Sequence, residues 1–450
     1  MENITNFIGK ITAVTEWIML FLIIGGGLFL VFYSKFAPYK YFKHAINVVA
    51  GKYDKDEDTG SVSHFQALSS VIAATVGLGN ISGVAIAIYY GGPGVVFWMW
   101  ITAIIGSCIK FYSGGLAILL RKKDNQGNVL GGPMYYMTLG IKKYGKPMAI
   151  FFCCAGLIGV LPAFTANQLT QSVIEVVNPN QYIELGNFNW KLIIGLILVI
   201  ITSLVIFGGL KRIVKASTAI VPFMVLIYML VACFIFIVNW EYVLPSFKLI
   251  FTEAFSIKTA SQGTLWALIL LGVRRAVFSN ESGIGNAPMY HGQSKTNEPV
   301  QEGLVAMLGP FIDTIVVCTI TAIIIIISGV YLNSESNGIL LTLAAFEKLL
   351  YGFGDEILMV MIISFGISTL LTYSYYGTKC LTFLFGEKIG GYYNAIYIIS
   401  IIFAAIASLD LVVGLIDLAF ALMSIPNMIA VLYLSPKMNE AMGIYFKKLP

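Results

Sequence analysis

Two stretches place glycine beside polar side chains inside otherwise apolar runs. One reads Ala73-Ala74-Thr75-Val76-Gly77-Leu78-Gly79-Asn80, the other Phe278-Ser279-Asn280-Glu281-Ser282-Gly283-Ile284-Gly285-Asn286. Glycine costs a helix interior about 1 kcal/mol relative to alanine, so such clusters favour an unwound segment. An unwound segment at membrane depth must line a cavity or be packed within protein. It presents carbonyl oxygens at the end of one half-helix and N–H groups at the start of the next. The carbonyls suit a cation or an ammonium group, and the N–H groups, aided by the helix dipole, suit a carboxylate. A zwitterionic amino acid matches both ends. Close helix packing through small residues is the competing use of such glycines.

Glu281 is a charge inside an apolar run, and such a charge needs a partner or water. Arg274 and Arg275 lie about two turns before the second cluster. They fit either a buried ion pair with Glu281 or Asp313, or a gate over a bound substrate. A third group, Phe365-Gly366-Ile367-Ser368-Thr369, sets two hydroxyls side by side in an apolar run. Hydroxyls there also bond back to the i−4 carbonyl. The six cysteines contain no C-x-x-C pair and the three histidines are scattered, so neither a redox nor a metal centre is expected.

The elements that carry these groups read as membrane helices. Of 450 residues, 58% are hydrophobic and 11% charged, against about 25% charged in soluble domains. Mean hydropathy is +0.84. At about 20 apolar residues per crossing, spans are predicted at 17–36, 64–90, 94–120, 147–176, 190–209, 217–239, 262–290, 302–330, 357–377, 392–409 and 411–434. The fold class expected is all-α integral membrane, with about 11 transmembrane helices in one domain over 1–450. The run from Trp17 reads as a spanning helix rather than a secretory signal.

Lysine and arginine give the expected orientation. With the loop after the first span in the cytoplasm, 20 of the 28 basic residues fall on the cytoplasmic side and five, including Lys258, outside. That bias predicts an external N-terminus and a cytoplasmic C-terminus. Each glycine cluster is followed by four more spans, and the two halves run in opposite directions. The expected organisation is therefore an extra helix at 17–36, five-helix repeats at 62–240 and 255–434, and a cytoplasmic tail at 435–450. Paired interrupted spans point to the binding site of a transporter.

The motifs also carry a family resemblance. Gly91-Gly92-Pro93-Gly94-Val95-Val96-Phe97-Trp98-Met99-Trp100, Gly131-Gly132-Pro133-Met134-Tyr135-Tyr136, Phe278-Ser279-Asn280-Glu281, Gly303-Leu304-Val305-Ala306-Met307-Leu308-Gly309, Ser374-Tyr375-Tyr376-Gly377 and Ile425-Pro426-Asn427 resemble the alanine-or-glycine:cation symporter family, in order, over about 61–435. The resemblance implies the inverted-repeat fold of the bacterial leucine transporter, preceded by one helix. It implies a Na⁺ site from the Ala73, Val76 and Phe365 carbonyls and the Ser368 and Thr369 hydroxyls. It implies a substrate carboxylate side at Thr75, Gly77, Leu78, Gly79 and Asn80, an amino-group side at Phe278, Ser279 and Asn280, and a pocket glutamine at Gln168. Three positions depart from the family pattern. Lys110-Phe111-Tyr112-Ser113 lacks the carboxylate usual three residues after the lysine, Leu270 replaces a common arginine, and Tyr373 replaces a tryptophan.

The reading is a secondary active transporter in the cell membrane, not an enzyme, that imports alanine or glycine with a cation. Its expected partners are the lipid bilayer, a small neutral amino acid and Na⁺. No organic cofactor, nucleic acid or obligate protein partner is expected. The alternative is a proton-coupled permease of the same fold, with H⁺ carried by Glu281 or Asp313.

Overall fold

The computed structural model describes residues 2–124, 127–177, 189–256, 264–333 and 338–449, without the side chains of residues 2–10 and Asp410. Lys258 and the first two positions of the expected span 262–290 lie outside them. Helices dominate. The paired strands among the described residues are Lys122–Lys123 and Val129–Leu130, a short antiparallel hairpin.

Among the described residues eight helices are long and apolar enough to cross a membrane: Ile11–Tyr33, Val95–Leu119, Gly145–Val177, Gly209–Val238, Pro299–Ser328, Gly354–Phe385, Glu387–Ile406 and Leu411–Phe446. The pair His64–Thr75 and Gly79–Gly91, bent by 53°, makes a ninth if taken as one span. The two remaining predicted spans are shorter helices, Trp190–Ile206 and Leu265–Asn280, so length and hydropathy alone do not reach eleven. Trp240–Glu253 and Ile339–Leu349 are helices within connections read as loops. The segment expected as a tail from 435 continues the helix Leu409–Phe446. Phe21, Phe32, Leu204, Phe207 and Ile237 are exposed, as lipid-facing side chains are.

Both glycine clusters unwind. The first broken helix starts cleanly, with Ser63 and Gln66 forming a reciprocal capping box. It ends at Thr75, because Val76 takes ψ 88° and turns its carbonyl away from the helical direction. A π-helical turn, Gly79–Gly83, then leads into Val84–Gly91. The second broken helix opens within its cluster as well. Leu265–Asn280 stays helical through Phe278-Ser279-Asn280, and the chain leaves it at Glu281, at φ 54°. Gly283 and Gly285 follow at φ 83° and 105°, backbone that glycine adopts at little cost. A short turn of helix resumes at Pro288–His291. The opening is set by Glu281 and the positive-φ glycines, directly after Asn280.

The arginines do not pair with Glu281 or Asp313. Arg274 bonds Glu16 at 2.6 Å, and Arg275 lies 5.9 Å over the Phe278 ring with its charge acting mainly on Asp417. Both point toward the first and last long helices, while Glu281 and Asp313 face Val95–Leu119, where the cation acting on them is Lys110.

The closest helix packing joins Val95–Leu119 to Pro299–Pro310. A Cβ built on Gly303 would stand 2.7 Å from the Phe111 carbonyl oxygen, and one on Gly114 2.5 Å from the Ala306 Cβ. Small residues let two backbones touch where lipid gives no hydrophobic drive for association. Gly303→Val should therefore cost about 1–3 kcal/mol by overpacking. A lowered thermal-unfolding midpoint in detergent is the expected result, and an unchanged midpoint would show that the contact yields freely.

Candidate functional site

Between the two breaks lies a cavity whose walls come from five elements. The first broken helix gives Ala74, Thr75, Gly77, Leu78 and Gly79, and the second gives Phe278 and Ser279. Thr369 and Tyr373 come from Gly354–Phe385, Ile416 and Phe420 from the last long helix. The remainder is Gly159, Leu161, Phe164 and Thr165, at a kink where helix Gly145–Gly159 gives way to Ala163–Val177 across Pro162. The cavity leaves about 40 Å³ for water centres, a few waters at roughly 10–15 Å³ each. Phe278 is fixed edge-on to Phe164, centroids 5.1 Å apart.

Six of the nine residues predicted for the substrate line this cavity: Thr75, Gly77, Leu78, Gly79, Phe278 and Ser279. The other three are buried around it. Asn80 accepts from the Gly77 amide at 2.9 Å and donates to the Asp313 carboxylate at 2.8 Å. Asn280 donates to Thr314 at 3.0 Å and accepts from the Ser282 amide at 3.0 Å. Gln168 accepts from Ser82 at 2.9 Å and donates to Gln171 at 3.1 Å, so its amide is engaged away from the cavity. The kink and the Ile416–Phe420 wall were missed. Pro162 soon after Gly159 in an apolar run was the available signal for the kink.

Four of the five predicted cation ligands meet beside the first break. Ser368 and Thr369 each donate to the Ala73 carbonyl at 3.2 Å, and to the Phe365 carbonyl at 2.8 and 3.0 Å. Val76, the fifth, lies at the break with its carbonyl swung out. These are hard oxygens from two helices, a donor set that fits Na⁺. Gly77 must lack a side chain here, because its Cβ would stand 2.5 Å from the Thr369 hydroxyl.

A second buried cluster joins the two broken helices away from the cavity. Glu302 accepts from Nδ1 of His64 and of His291, each at 2.5 Å, which joins the start of the first broken helix to the end of the second. Arg121 donates to the Thr59, Ser294 and Thr296 carbonyls around the same junction. Burial draws its guanidinium below the usual value, opposed by the Glu302 and Asp58 carboxylates.

The profile of the Sodium:alanine symporter family matches residues 1–450. The chain belongs to that family. A sodium/alanine symporter of Methanococcus maripaludis, AgcS, is 37% identical over 96% of this chain and 95% of its own length. A probable sodium/glutamine symporter of Bacillus subtilis, GlnT, is 35% identical over 100% and 92%. Among solved structures, MhsT in complex with L-phenylalanine matches 86% of this chain and 99% of its own at a TM-score of 0.58 and 14% identity, which shows the fold. Membership makes this a multi-pass membrane transporter coupling amino-acid movement to sodium, rather than an enzyme.

If the Thr369 hydroxyl is one of the cation oxygens, Thr369→Ala should raise the Na⁺ concentration for half-maximal uptake. Gly77→Ala should do the same by displacing that hydroxyl. Sodium titrations of uptake matching the unsubstituted protein in both variants would place the cation elsewhere.

Proposed function

We propose that this transporter imports alanine or glycine together with Na⁺, by alternating access around the two breaks. The observation that carries the reading is the cavity itself. It is small, it is lined by Leu78 and Gly79 at the first break, and it is walled by Phe278, Tyr373, Phe164 and Phe420. The substrate carboxylate lies against the first break and the amino group toward Phe278 and Ser279. A methyl group fits between the rings, while a branched or aromatic side chain does not. The relatives named for alanine and for glutamine span two substrate sizes, and the tight walls favour the smaller.

Na⁺ is held by the Ala73, Val76 and Phe365 carbonyls with the Ser368 and Thr369 hydroxyls. It braces the first broken helix against Gly354–Phe385, so ion and substrate strengthen each other's binding by reciprocal linkage. Residues 62–240 and 255–434 act as opposed repeats. The basic-residue bias puts the N-terminus outside and the His64–Glu302–His291 junction on the cytoplasmic side, where it closes the inward path.

Competition against labelled alanine in proteoliposomes under a Na⁺ gradient tests the reading. Glycine should compete, and leucine, phenylalanine and ethylamine should compete poorly. An amine without a carboxylate leaves the Leu78 and Gly79 amides unpaired, at about 1–3 kcal/mol per buried group. Strong inhibition by leucine or by ethylamine would move the pocket elsewhere. Gly79→Leu should abolish alanine binding in calorimetry while the protein still inserts, since the added side chain fills the space beside the Phe278 ring, 3.6 Å from the Cβ position. Normal binding by that variant would sink the carboxylate assignment.

A further inference from the structure

Behind the second break lies a set of ionisable groups that sodium coupling does not use. Lys110 is 2% exposed, Glu281 1% and Asp313 0%. Among the described residues the Lys110 ammonium has no hydrogen-bond partner, and neither has Glu281 Oε2. Lys110 Nζ lies over Gly309, 3.5 Å from where a Cβ would stand, and its charge acts on both carboxylates. Asp313 sits in the π-helical turn Phe311–Cys318. Its carboxylate accepts from Asn80 at 2.8 Å, Ser279 at 2.7 Å and Thr314 at 2.8 Å. Glu281 accepts from the Tyr373 hydroxyl. The other titratable groups facing the set are Cys318 beside Asp313, and Tyr373 and Tyr376 beside Glu281.

Two carboxylates and one ammonium, all ionised, leave one negative charge uncompensated at membrane depth, which is strongly disfavoured. One proton makes the set neutral. Its wiring reaches the cavity, because Ser279 and Tyr373 are cavity walls and Asn80 holds the Gly77 amide while donating to Asp313. We propose that Lys110, Glu281 and Asp313 form a proton-binding site beside the amino-acid cavity, and that a zwitterionic substrate entering with its ammonium against Ser279 expels the proton. The inference rests on the substrate orientation given above. In the balance, a carboxylic O–H breaks, the proton leaves to water, and the arriving ammonium supplies the positive charge it had provided. Linkage then makes protons compete with substrate, so affinity falls as the pH falls through the range where the set titrates.

Calorimetry of alanine binding to the full-length protein at saturating Na⁺, repeated in buffers of different ionisation enthalpy from about pH 5 to about pH 9, counts the protons. Release should approach one proton per alanine on the acid side and vanish on the alkaline side. Asp313→Asn should cut the count by half or more. Lys110→Met removes the charge that favours ionised carboxylates and should move the release window to higher pH. Where Asp313→Asn does not survive purification, the count in the unsubstituted protein and the Lys110→Met shift decide. Heats independent of buffer, with alanine binding intact, would overturn the proton site and leave the substrate reading standing. Release unchanged in both variants would also overturn it, placing the proton elsewhere, for instance on the His64–Glu302–His291 junction. No alanine heat at any pH in the unsubstituted protein would overturn both.

Discussion

A peptide group left unpaired in hydrocarbon costs roughly 2–7 kcal/mol, and this fold interrupts two helices within its core. Three asparagines answer that cost. Asn80 accepts from the Gly77 amide, Asn280 accepts from the Ser282 amide, and Asn427 donates to the Gly283 carbonyl at 2.7 Å. Each stands in for a backbone partner that the break has removed. The breaks can therefore persist without water, which leaves the remaining carbonyls and amides free to face a ligand.

That repair also wires the site together. Asn80 uses its oxygen on the first break and its nitrogen on Asp313, which in turn holds Ser279 on the second. Three polar residues thus join two helices that are about 200 residues apart in the chain. The Ser368 and Thr369 hydroxyls make the corresponding link on the other side, across to the Ala73 carbonyl. The first break is consequently held from both flanks, by charge and amide on one and by hydroxyls on the other. A ligand that shifts either flank shifts the cavity between them.

Much of this was legible because membrane helices obey few rules. Long apolar runs mark spans, glycine clusters mark breaks, and adjacent hydroxyls mark the helix facing the first break. The cavity walls were not legible, and the reason is chemical. Phe420 is 4% exposed and Phe403 70%, yet in an apolar run a pocket-facing ring and a lipid-facing ring are the same letter. Gln168 came from the family resemblance alone, and its amide bonds Ser82 and Gln171. The true partner of Arg274 is Glu16, one residue before the predicted start of the first span, so a pairing over that separation had no local signal.

The buried charges explain how so many similar helices find their places. Apolar faces in lipid discriminate poorly between neighbours, because lipid tails are as apolar as the side chains they replace. Charged pairs discriminate strongly, since a missing partner leaves a charge stranded. Glu16 on the first helix answers Arg274, and Arg275 finds Asp417 on the last long helix. Glu302 collects His64 and His291 from the two broken helices. Each set joins elements distant in sequence, and two of them converge on the second broken helix from the end opposite the histidines. The first helix, outside the paired halves, is thereby more than an addition: its buried Glu16 holds the half-exposed Arg274 of the second broken helix.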